Sequence, residues 1–120
     1  GMQLLLESSA EGTSHGLGII SGVCERFSFD DNNYNVPHMG WNNVTISKPS
    51  PLSENFDEMR FYFVHSYYCK VSRSEDVLFT TNYGTNFASG ISNGNVYGVQ
   101  FHPEKSHKFG MKLLKNFMQA

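Results

Sequence analysis

Gly98-Val99-Gln100-Phe101-His102-Pro103-Glu104-Lys105-Ser106 closes a strand-like run and opens a turn, with a histidine and a carboxylate two residues apart. Upstream, residues 87–92 and 96–101 flank Asn93-Gly94-Asn95, and Asn-Gly between apolar runs predicts a hairpin. Downstream, Ser106 is placed to cap a helix over 106–118. There Phe109, Leu113 and Phe117 recur at i, i+4 and i+8, widened by Met111, Leu114 and Met118, which predicts packing on a sheet. Proline restricts its predecessor to extended backbone, so Pro103 holds His102 in a β-like conformation. Residues i and i+2 of extended chain project to one side, so Glu104 can reach one imidazole nitrogen while the other faces outward. That is the orienter–base half of a nucleophile–His–acid triad. A bare His-x-Glu also fits a solvated turn leaving a strand, and no nucleophile stands nearby.

A chain of 120 residues makes at most one domain, small for a complete α/β enzyme. Its 39% hydrophobic and 14% aromatic content belongs to a folded protein. The net charge of −2, without a basic block, argues against nucleic acid or an anionic membrane as partner. No apolar run approaches the roughly 20 residues of a membrane span, and no secretory leader is legible. Cys24 and Cys69 form no C-x-x-C pair and read as reduced, buried thiols of a cytoplasmic protein. His15, His38, His65, His102 and His107 lack metal-ligand spacing, so no metal is expected.

Elsewhere the pattern predicts an uncapped helix over 2–9 and strands over 19–27, 43–47, 60–71 and 77–83. Asp and Asn make a turn of 30–35, and two prolines break the chain over 48–53. The result is a strand-rich sheet bracketed by two helices, without the βαβ units of a whole α/β enzyme.

Four segments, in order, resemble one family, the class I (triad) glutamine amidotransferases. Gly1-Met2-Gln3-Leu4-Leu5 is similar to the helix after the nucleophile turn, where the family reads Cys-Leu-Gly-Met-Gln-Leu-Leu. Val36-Pro37-His38-Met39-Gly40-Trp41-Asn42 resembles a motif of one branch, the glutaminase subunit of imidazole glycerol phosphate synthase. Phe63-Val64-His65-Ser66-Tyr67-Tyr68 resembles the substrate-carboxylate segment. The fourth is the His102/Glu104 signature with Leu113-Leu114-Lys115-Asn116-Phe117.

The resemblance implies an α/β, flavodoxin-like fold of the class I glutamine amidotransferase type, represented over residues 1–120 by its strand-rich C-terminal half. It implies His102 and Glu104 as catalytic, and Gln3, Glu11, His65, Ser66 and Tyr67 as glutamine-binding. It implies Met39, Trp41, Tyr62 and Lys105 as the face that docks on the cyclase (synthase) subunit, with no cofactor. By register the nucleophilic cysteine would lie two positions before Gly1, and neither Cys24 nor Cys69 stands in its motif. The chain by itself is therefore expected to be inactive and, with unpaired sheet edges, to self-associate. A paralogous glutaminase serving another synthase and a non-catalytic binding module of the same fold are the alternatives.

Overall fold

The computed structural model describes the backbone of Ser8–Ser9, residues 22–29 and residues 34–119. Eight strands form the sheet among them: β1 Ser8–Ser9, β2 Gly22–Arg26, β3 His38–Ile46, β4 Met59–His65, β5 Tyr67–Val71, β6 Val77–Asn82, β7 Asn86–Asn93 and β8 Val96–Val99. Their order is β1-β2-β5-β7-β6-β3-β4, with β8 also on β7. Only the β1–β2 pair is parallel; the rest run antiparallel. One α-helix, α1 His107–Gln119, follows in the described residues.

The period-two pattern of β4 sets the core. Met59, Phe61, Phe63 and His65 are buried while Arg60 is exposed. Phe61 stacks on Phe101 with ring centroids 3.9 Å apart, and Leu78, Phe79, Phe87 and Leu113 complete the cluster. Phe101 thus ties the segment before His102 to the centre of the protein. The Asn93-Gly94-Asn95 turn joins β7 to β8 as expected, with Gly94 at φ 60°.

Four local expectations are corrected. The run 60–71 is two strands, because β4 pairs with β3 whereas β5 pairs with β2 and β7. Ser66 carries the change of partner, and its carbonyl accepts the Phe27 N–H at 2.9 Å. The strand expected over 43–47 begins at His38, since pairing with aromatic β4 outweighs the poor strand propensity of Asn42 and Asn43. Ser8–Ser9 pairs in parallel with Val23-Cys24, so the helix expected over 2–9 does not extend there; residues 2–7 lie outside the described residues. On α1 the apolar stripe is only partly buried. Gly110, Leu113 and Asn116 face inward, while Leu114, Phe117, Met111 and Met118 stay exposed. Asn116 is drawn in because its Nδ2 donates to the Leu52 and Glu54 carbonyls.

Cys24 and Cys69 are directly opposed on β2 and β5, buried, and not joined by a disulfide. Their sulfurs lie 2.9 Å apart, and this contact together with burial pushes the Cys69 thiol far above its ordinary pKa.

Gly110 is the point at which α1 meets the turn after His102. A Cβ there would stand 1.8 Å from the Pro103 carbonyl oxygen and 2.7 Å from its carbon. Both atoms are backbone, so the turn or the helix would have to move. Gly110→Ala would gain about 1 kcal/mol of helix propensity. Overpacking costs about 1–3 kcal/mol, and an overlap this deep lies at the upper end. Urea unfolding should therefore show a net loss of about 2 kcal/mol. An alanine variant at least as stable as the parent would refute the close approach.

Candidate active site

His102 sits at the boundary between the core and a 3-10 turn, Pro103–Lys105. Its backbone is extended, φ −106° and ψ 98°, as Pro103 requires. Glu104 reaches it through the turn, not through continued extended chain as the i, i+2 argument supposed. His102 Nδ1 and Glu104 Oε1 are 2.7 Å apart, a charge-assisted bond length. Nδ1–H donates to the carboxylate, so the neutral ring presents Nε2 as a lone pair. The Glu104 carboxyl is held below the usual carboxylate range, first by its own backbone N–H and then by His102.

The main chain around His102 is pinned to the edge of β4. Its N–H donates to the Tyr62 carbonyl at 2.9 Å. The Tyr62 N–H donates to Ser106 Oγ at 2.9 Å, and Ser106 Oγ–H donates to the His102 carbonyl at 2.6 Å. Ser106 is fully buried and stands in for a strand residue beside β4. Sequence reasoning assigned it only as a helix cap. The helix instead enters through His107 at φ 49°, and the hydroxyl is committed to Tyr62 and His102. A serine four residues after His102, just before a helix, was the available signal.

Trp41 and Tyr62 are directly opposed on the outer face of the β3–β4 ribbon, and their rings meet edge-on at 6.2 Å. Met39 lies on the same face opposite Val64. Met39 is 62% exposed and Trp41 40%, so the tryptophan is not a core residue. His107 stacks on Trp41 at 5.9 Å, and the Arg60 guanidinium lies 6.0 Å above the same ring. Lys105 is exposed on the turn that carries Glu104. The backbone of Tyr62 therefore links this apolar face to the His102 loop.

His65, Ser66 and Tyr67 occupy the β4–β5 junction. Ser66 and Tyr67 are half-buried, while His65 is buried and its Nδ1–H donates to the Tyr67 carbonyl at 2.8 Å. Gln3 and Glu11 lie outside the described residues. Gln100 Oε1, two residues before His102, is a buried acceptor with no partner among the described residues.

The family model for class I glutamine amidotransferases matches residues 1–120. The chain belongs to that family. It is 52% identical over 120 residues to imidazole glycerol phosphate synthase subunit HisH 2 of Methanococcus maripaludis, covering 99% of this chain and 59% of that protein. It is 47% identical to subunit HisH of Leptospira interrogans, covering 98% and 59%. It is 48% identical to subunit HisH 2 of Pseudomonas aeruginosa, covering 99% and 59%. The chain thus spans about 59% of the length of the curated relatives it matches. Among the described residues no helix is long and apolar enough to cross a membrane.

Proposed function

We propose that this chain is the C-terminal part of a glutaminase that releases ammonia from glutamine for an imidazole glycerol phosphate synthase. The observation that carries the reading is the 2.7 Å His102–Glu104 pair, anchored by backbone bonds to the strand whose outer face presents Tyr62. In this reading His102 Nε2 takes the proton of a cysteine thiol, and the thiolate attacks the glutamine amide carbon. The ring then protonates the departing ammonia, leaving a thioester. It next deprotonates the water that cleaves the thioester, which releases glutamate and restores the thiol. Glu104 holds the ring in the Nδ1–H tautomer and stabilises the imidazolium. Ser66 and Tyr67 receive the substrate carboxylate, and Gln3 and Glu11 receive its ammonium.

The face formed by exposed Met39 and Trp41 and half-buried Tyr62, with Lys105 beside it, docks on the cyclase subunit that consumes the ammonia. Aromatic residues of this kind serve as interface anchors. The exposed Leu114 and Phe117 of α1, and the buried Gln100 Oε1, which has no partner among the described residues, support further structure packing here. In its absence those surfaces favour self-association of the chain. Two thiols that remain unbridged 2.9 Å apart fit a cytoplasmic location.

The test is ammonia release from glutamine, measured with a cyclase subunit present. A polypeptide extended upstream through a Gly-x-Cys-Leu run is expected to turn over glutamine, and this chain alone is not. An extended polypeptide with its cysteine intact that releases no ammonia would sink the proposal.

A further inference from the structure

Two histidines that transfer no proton in this scheme lie between the docking strand and the carboxylate segment. His38 and His65 are directly opposed on β3 and β4, and both rings are buried. Hydrogen-bond chemistry assigns their protons. The Tyr67 carbonyl can only accept, so His65 Nδ1, 2.8 Å away, carries the hydrogen. Burial and the neighbouring rings lower both pKa values to about 4, so each ring is neutral at pH 7. His65 Nε2 is then a lone pair, and His38 Nδ1, 2.9 Å away, donates to it. His38 Nε2 becomes a lone pair in turn and faces Asn42 Nδ2 at 3.3 Å.

The Asn42 amide is oriented independently of the histidines. Its Nδ2 donates to the Asn82 carbonyl at 2.9 Å, and its Oδ1 accepts from the Asn43 N–H at 2.7 Å. One direction of donation therefore runs from Asn42 through His38 and His65 to Tyr67, with each donor facing an acceptor. Neutral imidazole in water favours the hydrogen on Nε2, so both rings are held in the less common form.

We propose that His38 is a positioning residue: its N–H···N bond, steadied by Asn42, fixes the His65 tautomer that holds the Tyr67 carbonyl and so shapes the Ser66–Tyr67 segment. The functional meaning rests on the glutaminase reading, in which that segment receives the substrate carboxylate. Because His38 alternates along β3 with Met39 and Trp41, the relay also runs directly beneath the docking face.

A purely structural role makes a different prediction. His38 stacks on Tyr83 at 3.9 Å and on Phe63 at 4.8 Å, and a phenylalanine would keep both contacts. Nitrogen-15 NMR of histidine-labelled chain at pH 7 should show both rings as Nδ1–H tautomers. An imidazolium or an Nε2–H tautomer at either position would overturn the relay. His38→Phe should release His65 from its tautomer and speed amide exchange at Tyr67 and Tyr68 about tenfold, the value of one lost hydrogen bond. His38→Asn, whose amide Nδ2 stands where Nδ1 was, should restore both readouts. A His65 tautomer unchanged in His38→Phe would overturn the proposal. Should that variant not fold, Asn42→Ala should speed the same amides about threefold by loosening the first donor; exchange at the parent rate would count equally against it. None of these readouts uses glutamine, so their failure leaves the glutaminase reading standing, and failed turnover leaves the relay standing.

Discussion

Replacing His102 with alanine is expected to lower ammonia release from the extended, cysteine-containing polypeptide by about 10⁴-fold or more, the usual loss when a triad base is removed. The thiol would lose its proton acceptor, the leaving nitrogen its donor and the hydrolytic water its base, all at one stroke. The effect should appear in kcat, with KM little changed, because the Ser66–Tyr67 segment proposed to receive the substrate carboxylate is untouched. Glu104→Gln should cost far less, about 10–100-fold, because its side chain is 62% exposed and water can partly replace it beside the ring. Steady-state ammonia assays on the two variants check both figures. A His102→Ala enzyme within tenfold of the parent would remove the ring from the chemistry.

The second large effect is on stability at acid pH. His38 and His65 are buried and neutral, with pKa values lowered to about 4, for His38 by burial and then by His65. For His65 burial again leads; the Tyr67 carbonyl opposes it, and His102 adds a smaller lowering. Tyr83 and Phe27 pack on the His38 ring, and Phe27 also packs on His65, so aromatic carbon lies against both rings. In the unfolded chain both histidines return to about 6.5. Below that pH the unfolded state binds protons that the folded state refuses, so folding stability falls. The contribution is complete above about pH 6.5, declines toward pH 4 and levels off below.

At pH 5 each ring costs about 2 kcal/mol, and the pair approaches about 4 kcal/mol, a large share of the stability of so small a domain. Glu104 acts in the same direction only at lower pH, since its depressed pKa loses its stabilising value as carboxylates protonate. The urea midpoint at pH 5 should therefore lie well below that at pH 7.5. Equal midpoints would mean that the two rings are hydrated, contrary to their position in the core.

What was legible in the sequence was whatever depends on neighbours along the chain. The Asn-Gly turn, the alternation of Met59, Phe61 and Phe63, the extended backbone before Pro103 and the helix after Ser106 each follow from local geometry or from one face meeting one core. The His102–Glu104 pair was legible for the same reason, since two residues of separation leave little freedom.

Pairings across the sheet were decided by tertiary structure alone. Residues 60–71 look uniform in composition, yet Ser66 divides them because β4 and β5 answer to different partners. Ser106 resembled a cap until the edge of β4 came within reach of its hydroxyl. His38 and His65 stand 27 residues apart, and only the register of β3 on β4 makes them a hydrogen-bonded pair. A periodic pattern says which face of an element is buried; which groups meet across that face depends on register, and register is settled by the packing of the whole sheet.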